Sequence, residues 1–265
     1  MSDLPEGWSS CSPLEVADLI RGVSYKKGEA STEAAPGLVP LLRANNIDAG
    51  RLNFDNLLFV PDNRVSSEQR LRAGDVVLAM SSGSQAVVGK AASLSMHWQG
   101  TFGAFCGVLR AAAEIDAGYF GLFFQTGSYR KGMSALAAGT NINNIKRQYF
   151  EEFTLPVPPL AEQKRIVEQV EALIAQAQRV ADRLTRLSRI LGGAASPAVG
   201  LGHFVQIVLA KAFSAGLVPT EAELARTEGR GYESGEELLA RVRGARVEPA
   251  AGGRKMLRRR TARRG

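Results

Sequence analysis

Hydrophobic residues recur at regular intervals over one long segment in the second half of the chain. From Ile166 to Leu191 the spacing alternates strictly between four and three residues. This repeat predicts a coiled-coil helix that pairs with a second helix, because a helix lying on its own globular domain, the alternative, needs a wider stripe repeating every 3.6 residues. At 1.5 Å per residue the seam would extend about 38 Å. Its members are Ile166, Val170, Leu173, Ala177, Val180, Leu184, Leu187 and Leu191.

The region before this helix has a different texture, with short apolar runs separated by turn residues. Runs at 56–60, 75–80 and 118–124 predict a mixed α/β fold, of the α+β kind, for residues 1–158. A helix is predicted from Ser12 to Gly22, because Ser12 suits the N-cap and Pro13 the first helical position.

Prolines and glycines divide the rest of the chain. Pro156, Pro158 and Pro159 end the first region, and a glycine pair follows the long helix. A further helix is predicted over 203–215, and capping boxes that begin at Thr220 and Ser234 predict two short helices. The predicted units are a mixed α/β region at 1–158, a coiled-coil helix at 159–193, a helical segment at 194–247 and a disordered basic tail at 248–265.

The positive charge is concentrated at the C-terminus. The 265 residues carry a net charge of +7, and the last twelve hold seven basic side chains and no acidic one. The other residues contain 26 basic and 26 acidic side chains. Nucleic-acid binding by the folded part would therefore need a local patch, while the tail would contact phosphates without sequence preference or serve as a solvated end.

The remaining composition predicts a cytoplasmic protein that does not enter a membrane. The chain has two cysteines, Cys11 and Cys106, which is unlike a disulfide-rich secreted domain. The first residues lack the apolar core of a signal peptide, and polar residues interrupt the longest apolar stretch, around 201–218.

No motif in the sequence predicts catalysis or metal binding. The two histidines and two cysteines are too scattered to form a metal site. Residues 83–91 lack the spacing of a phosphate-binding loop. Val157-Pro158-Pro159-Leu160 lacks the acid or amide with which amino-group DNA methyltransferases hold the target base. We therefore expect a protein without its own active site.

Two polar loops carry a pattern typical of DNA contacts. Residues 130–147 contain four basic side chains and no acidic one, and residues 81–85 follow an apolar run. Arginine pairs with guanine, asparagine and glutamine pair with adenine, and hydroxyl groups bind phosphates, although ordinary solvated loops have a similar composition. The candidate contact residues are Arg43, Asn45, Ser82, Gln85, Arg130, Lys131, Asn141, Asn143, Lys146 and Arg147.

Several segments together resemble the DNA specificity subunit of type I restriction-modification systems. The segments that resemble this family are LPEGW at 4–8, PLLRANNI at 40–47, LRAGDVV at 71–77, LPVPPLAEQ at 155–163 with Ile166-Val167, and AKAF at 210–213 with GLVP at 216–219.

The resemblance implies a non-catalytic subunit that recognises one half of a bipartite DNA site and docks methyltransferase subunits. It places AdoMet in the methyltransferase partner and ATP with Mg²⁺ in a restriction partner, with no cofactor in this chain. Subunits of this family have two recognition domains and two spacer helices, whereas one of each is evident here. We therefore expect the chain to act as a half-subunit that pairs through its helix with another copy or another half-subunit.

A second hypothesis assigns no DNA binding to the chain. It would then be a coiled-coil adaptor, or an orphan or donor fragment for other specificity genes. Sequence-dependent DNA binding in the presence of the methyltransferase separates the two hypotheses.

Overall fold

The computed structural model describes residues 4–84, 86–137, 143–190 and 198–247. In chain order the strands are β1 Ser9–Cys11, β2 Ala17–Arg21, β3 Leu38–Leu42, β4 Ile47–Asp48, β5 Arg51–Leu52, β6 Leu58–Pro61, β7 Val76–Ala79, β8 Ser81–Ser82, β9 Ala91–Ser93, β10 Thr101–Phe102, β11 Cys106–Ala111, β12 Asn143–Asn144 and β13 Leu155–Val157. The α-helices are α1 Ala117–Phe123, α2 Gly127–Leu136, α3 Leu160–Ile190, α4 Ala198–Ala212, α5 Glu221–Glu228 and α6 Gly235–Val247.

The central element is an antiparallel sheet of four strands in the order β2-β11-β7-β9. All four residues of β7 are completely buried, as expected for a strand covered on both faces. A second sheet has the order β10-β3-β6, in which β10 runs parallel to β3. These sheets, with α1 and α2, confirm the predicted α/β fold.

The predicted helix from Ser12 to Gly22 is wrong. Only Pro13–Glu15 form a helical turn, of the 3-10 type, and the chain then enters β2. The N-terminal signal was read correctly, because Ser12 caps this turn and Glu15 completes a capping box. The turn ends early because Ala17–Arg21 pair along their whole length with β11, and sheet pairing outweighs the local helical preference.

The long helix α3 extends over 31 residues and begins inside the core of the domain. Glu162 and Gln163 are completely buried. The Gln163 amide bridges two segments: its Oε1 accepts a hydrogen bond from the Asp116 backbone N–H at 3.0 Å, and its Nε2 donates to the Pro158 carbonyl at 2.9 Å. The first turn of α3 is thereby held against the start of α1.

Shorter helices follow α3, as the sequence predicts. Both capping boxes are confirmed: Glu223 N–H donates to Thr220 Oγ1 at 3.2 Å, and Glu237 N–H donates to Ser234 Oγ, also at 3.2 Å. The helix predicted over 203–215 is α4, which begins earlier, at Ala198, and ends at Ala212.

One large hydrophobic cluster connects the central sheet with α1, α2, the start of α3, α4 and α6. The helices after residue 160 therefore bury their apolar faces in the same core as the sheet. Ion pairs add to this attachment, because Arg243 lies 2.7 Å from Glu15 and Arg246 lies 2.7 Å from Asp18. The predicted basic tail at 248–265 lies outside the described residues.

Candidate nucleic-acid interface

The two polar loops selected from the sequence meet at one edge of the domain. Strand β8, at the start of the first loop, pairs antiparallel with β12, so that Ser82 lies opposite Asn143 and Ser81 opposite Asn144. The Ile145 backbone N–H extends this pairing by donating to the Met80 carbonyl at 2.8 Å. Pairing of two strands that are distant in the chain thus brings the backbones of Ser82 and Asn143 together, and Lys146 follows directly after the paired segment.

A third segment, the turn at 103–106, completes this edge. The Phe105 carbonyl accepts hydrogen bonds from the backbone N–H groups of Met80 and Ser81, at 2.8 and 3.1 Å. We call residues 80–84, 103–106 and 143–147 together the rim. The sequence analysis did not identify this turn, because no pattern in the sequence distinguishes Phe105 from Phe102. In the structure Phe102 is buried and Phe105 is exposed.

Arg43 lies next to this turn. The Gly103 N–H donates to the Leu42 carbonyl at 2.9 Å, which joins the end of β3 to the rim. The Arg43 Nη2 donates to the Asn56 carbonyl at 2.9 Å, and the Arg43 side chain lines a cavity of about 540 Å³ together with Tyr25 and Phe105. Asn45 is exposed in the short 3-10 helix that follows Arg43.

Two of the predicted cations at the rim are free to meet a ligand. Lys146 and Arg147 are exposed, and neither forms an ion pair within the described part of the chain. The Lys146 Nζ lies 5.8 Å from the centre of the Tyr149 ring, a cation–π arrangement that leaves the ammonium group accessible. Both side chains could therefore contact phosphates.

Arg130 is placed differently from its neighbour Lys131. The Arg130 guanidinium donates to the Val88 carbonyl at 2.6 Å and to the Ala86 carbonyl at 3.1 Å. Burial lowers the pKa of Arg130, whose side chain is half-buried. Arg130 thus positions the segment after Ser84, whereas Lys131 is exposed on α2. Gln85 and Asn141 lie outside the described residues.

The hydrophobic seam of α3 changes its surroundings along the helix. Ile166 and Val170 are buried in the core of the chain, and Leu173 packs against the same cluster. Ala177 is half-buried, while the exposed fractions of Val180, Leu184 and Leu187 are 56, 52 and 54%. Leu191 lies outside the described residues. The first part of the seam thus needs no partner, and the later part forms an exposed apolar stripe.

Other kinds of site are not evident in the described ranges. Within 4–84, 86–137, 143–190 and 198–247, no three His, Cys, Asp or Glu side chains come together as metal ligands. None of the described helices is long and apolar enough to cross a membrane. Burial raises the pKa of the Cys106 thiol to about 12, so this thiol is unreactive near neutral pH.

Comparison with known proteins gives a consistent result. The family model described as type I restriction modification DNA specificity domain matches residues 5–188. The specificity subunit of the type I restriction enzyme EcoKI of Escherichia coli K12 is 45% identical over 188 residues, which are 71% of this chain and 40% of that subunit. The StySPI specificity subunit of Salmonella potsdam is 42% identical over 211 residues, which are 80% of this chain and 43% of that subunit.

A solved structure supports the fold. It comes from work on the "structural basis underlying complex assembly and conformational transition of the type I R-M system" and superposes with a TM-score of 0.51 at 22% identity. The match covers 82% of this chain and 48% of that chain. The chain therefore spans less than half the length of the relatives described here.

Proposed function

Because this chain belongs to the family of type I restriction-modification DNA specificity domains, we propose that it binds double-stranded DNA and reads one half of a bipartite target. The chain contributes recognition, and the methyl-transfer and cleavage chemistry takes place in partner subunits. AdoMet belongs to the methyltransferase subunit on this proposal, and ATP with Mg²⁺ to a restriction subunit.

The observation that carries the proposal is the pairing of β8 with β12. This pairing unites the loops at 81–84 and 143–147, and with the turn at 103–106 they form one continuous edge. Ser82, Asn143 and Arg147 belong to residue types that read bases or bind phosphates. Exposed Lys131, Lys146 and Arg147 supply positive charge without an acidic partner among the described residues, although the body of the chain is neutral overall.

A second recognition domain would be supplied by a second polypeptide. We assign this contact to the stripe formed by Val180, Leu184 and Leu187, because these three large apolar side chains lie on one face of a helix and no other described residue covers them. A second copy pairing antiparallel through this stripe places two recognition domains about a twofold axis, which suits a bipartite target with inverted halves.

Methylome sequencing tests the proposal directly. A host that expresses the chain with its methyltransferase subunit should acquire methylation at one split motif. This methylation should disappear when the gene for the chain is deleted. Identical inverted halves would support pairing of two copies, and different halves would support pairing with another half-subunit. Footprinting with the methyltransferase present over a range of salt concentrations gives an independent measurement, in which weak, uniform protection would favour the adaptor hypothesis.

A further inference from the structure

We propose that Phe105 is an apolar wedge that inserts into a base step of the bound DNA and unstacks it. This inference rests on the proposed function and adds to it a residue that acts on the shape of the DNA. Apolar side chains that enter between base pairs kink the duplex, so specificity then depends on how easily a given step deforms.

The exposure of Phe105 is the first observation. The exposed fraction of Phe105 is 70%, whereas Phe102, Phe120, Phe124 and Phe150 are completely or almost completely buried. Among the large hydrophobic side chains that are exposed in the described ranges, Phe105 is the one aromatic. A large ring left mostly in water gains little from burial in its own chain, and aromatic rings of this kind are characteristic of binding surfaces.

The rigidity of the turn is the second observation. The Phe105 carbonyl accepts two backbone hydrogen bonds, from Met80 and Ser81, and the Cys106 N–H donates to the Gly103 carbonyl at 2.8 Å. Cys106, the next residue, is buried and begins β11. The ring therefore projects from a fixed backbone, which lowers the entropy that binding must remove.

The charges around Phe105 indicate that the ligand bound at this part of the rim is a polyanion with apolar faces. Arg43 lines the same cavity as Phe105, and Lys146 follows Ile145, which is hydrogen-bonded to Met80 in the rim. Glu29, the acid next to the cavity residue Ala30, is ion-paired with Arg64. Cations beside an exposed ring match phosphates beside stacked bases. Contact with the methyltransferase subunit is the competing explanation, and the experiment below distinguishes it.

The experiment uses the full chain in complex with its methyltransferase subunit. The DNA duplexes contain the split motif that methylome sequencing identifies. The fluorescent base 2-aminopurine is placed in turn at each position, because its fluorescence rises when it is unstacked. The variants are Phe105→Ala and Phe105→Trp, and Met96→Ala removes an apolar side chain, 54% exposed, that lies outside the rim. Thermal unfolding checks that each variant remains folded.

In the wild type we expect increased fluorescence at one step. Phe105→Ala should abolish this increase and weaken target binding about 5- to 150-fold, the range for loss of one aromatic stacking contact. The slope of binding against salt concentration should stay unchanged, because no charge is removed. Phe105→Trp should retain the signal, and Met96→Ala should behave as the wild type.

Two results would overturn the inference while leaving the proposed function intact. One is full target affinity and an unchanged fluorescence pattern in Phe105→Ala. The other is loss of methyltransferase assembly in Phe105→Ala before DNA is added, which would make Phe105 a protein contact. Failure of the wild-type complex to bind any target sequence would instead overturn the proposed function, and this inference with it.

Discussion

The indole of Trp8 and the carboxylate of Glu162 form a buried hydrogen bond. The Trp8 Nε1 donates to Glu162 Oε1 at 2.9 Å, although 154 residues separate the two in the chain. The other carboxylate oxygen, Oε2, accepts the backbone N–H of Glu221 at 2.8 Å, at the start of α5. Glu162 thus joins the N-terminal segment, the long helix and the C-terminal helices.

This arrangement explains two of the motifs that resemble the family. Trp8 ends the segment LPEGW, and Glu162 and Gln163 form the EQ of LPVPPLAEQ. All three side chains are buried, and each forms hydrogen bonds with distant parts of the chain. These motif residues therefore fix where α3 leaves the hydrophobic core, and with it the direction of that helix.

Trp8→Phe should destabilise the protein. Phenylalanine keeps most of the ring but removes the donor, so that a buried carboxylate oxygen loses its partner; such a loss costs about 1–3 kcal/mol. Urea unfolding measures the change in the free energy of unfolding. Trp98→Phe is the matched control, because the Trp98 indole N–H has no hydrogen bond among the described residues, and an equal loss in both variants would contradict the role of the Trp8 donor.

Acid should destabilise the protein through Glu221. Burial by itself raises the pKa of Glu221, but Arg165 and Arg230, at 2.6 and 2.7 Å, outweigh it and hold the pKa below the ordinary value of 4.5. The folded state therefore binds fewer protons than the unfolded chain. The resulting stabilisation is present above about pH 4.5 and is lost as the pH falls below it, so Glu221→Gln should flatten this part of the stability curve.

Glu162 should affect the pH dependence of the free energy of unfolding in the opposite direction. Burial raises the pKa of Glu162 above 4.5, despite the hydrogen bonds from the Glu221 backbone and from Trp8. The folded state then keeps a proton that the unfolded chain releases, so this contribution falls as the pH rises through 4.5 towards the folded-state pKa. Urea unfolding at a series of pH values measures this contribution. Compared with the wild type, Glu162→Gln should lose less free energy of unfolding as the pH rises from 4.5 towards the folded-state pKa. A steeper decline would refute the assignment.

Substitutions of Arg130 and Lys131 should distinguish a residue that positions the backbone from one that contacts DNA. Arg130→Gln removes two hydrogen bonds from a charged group to the carbonyls of Val88 and Ala86, and should lower the free energy of unfolding by about 1.5–3 kcal/mol. Lys131→Gln should change it by less than about 0.5 kcal/mol.

Lys131 should affect the affinity for DNA, although it has little effect on the free energy of unfolding. If Lys131 contacts a phosphate, Lys131→Gln weakens binding to all sequences alike and reduces the slope of log affinity against log salt by about one. Salt titrations of the complex with the methyltransferase measure this slope. An unchanged slope would remove Lys131 from the contact residues.

Asp at the exposed part of the seam should prevent pairing without unfolding the domain. Leu184→Asp with Leu187→Asp would bury two unpaired charges in the proposed contact, raising the dissociation constant at least about 100-fold. Leu173 is unsuitable for this test, because it packs against the chain's own core. Sedimentation of the variant and of an Ala175→Asp control, on an exposed position outside the seam, measures association. Unchanged association in the double variant would exclude the stripe as the contact.

Local signals in the sequence were sufficient for the helical half of the fold. The 3.5-residue repeat predicted α3, and Thr220 and Ser234 predicted where α5 and α6 begin, because helical periodicity and capping involve residues at most a few positions apart. The same kind of signal at Ser12 predicted a longer helix than exists. There the pairing of Ala17–Arg21 with β11 decides the structure, and that partner lies some 90 residues away in the chain.

The candidate interface divides in the same way. The residue types of the segments at 81–85 and 130–147 can be read directly from the sequence. Their meeting at the rim, the inward direction of the Arg130 guanidinium and the exposure of Phe105 depend on the pairing of β8 with β12 and on the turn at 103–106. The tertiary structure alone also decides where the α3 seam passes from the core to solvent, since a repeat specifies which face of a helix is apolar and only packing specifies what covers that face.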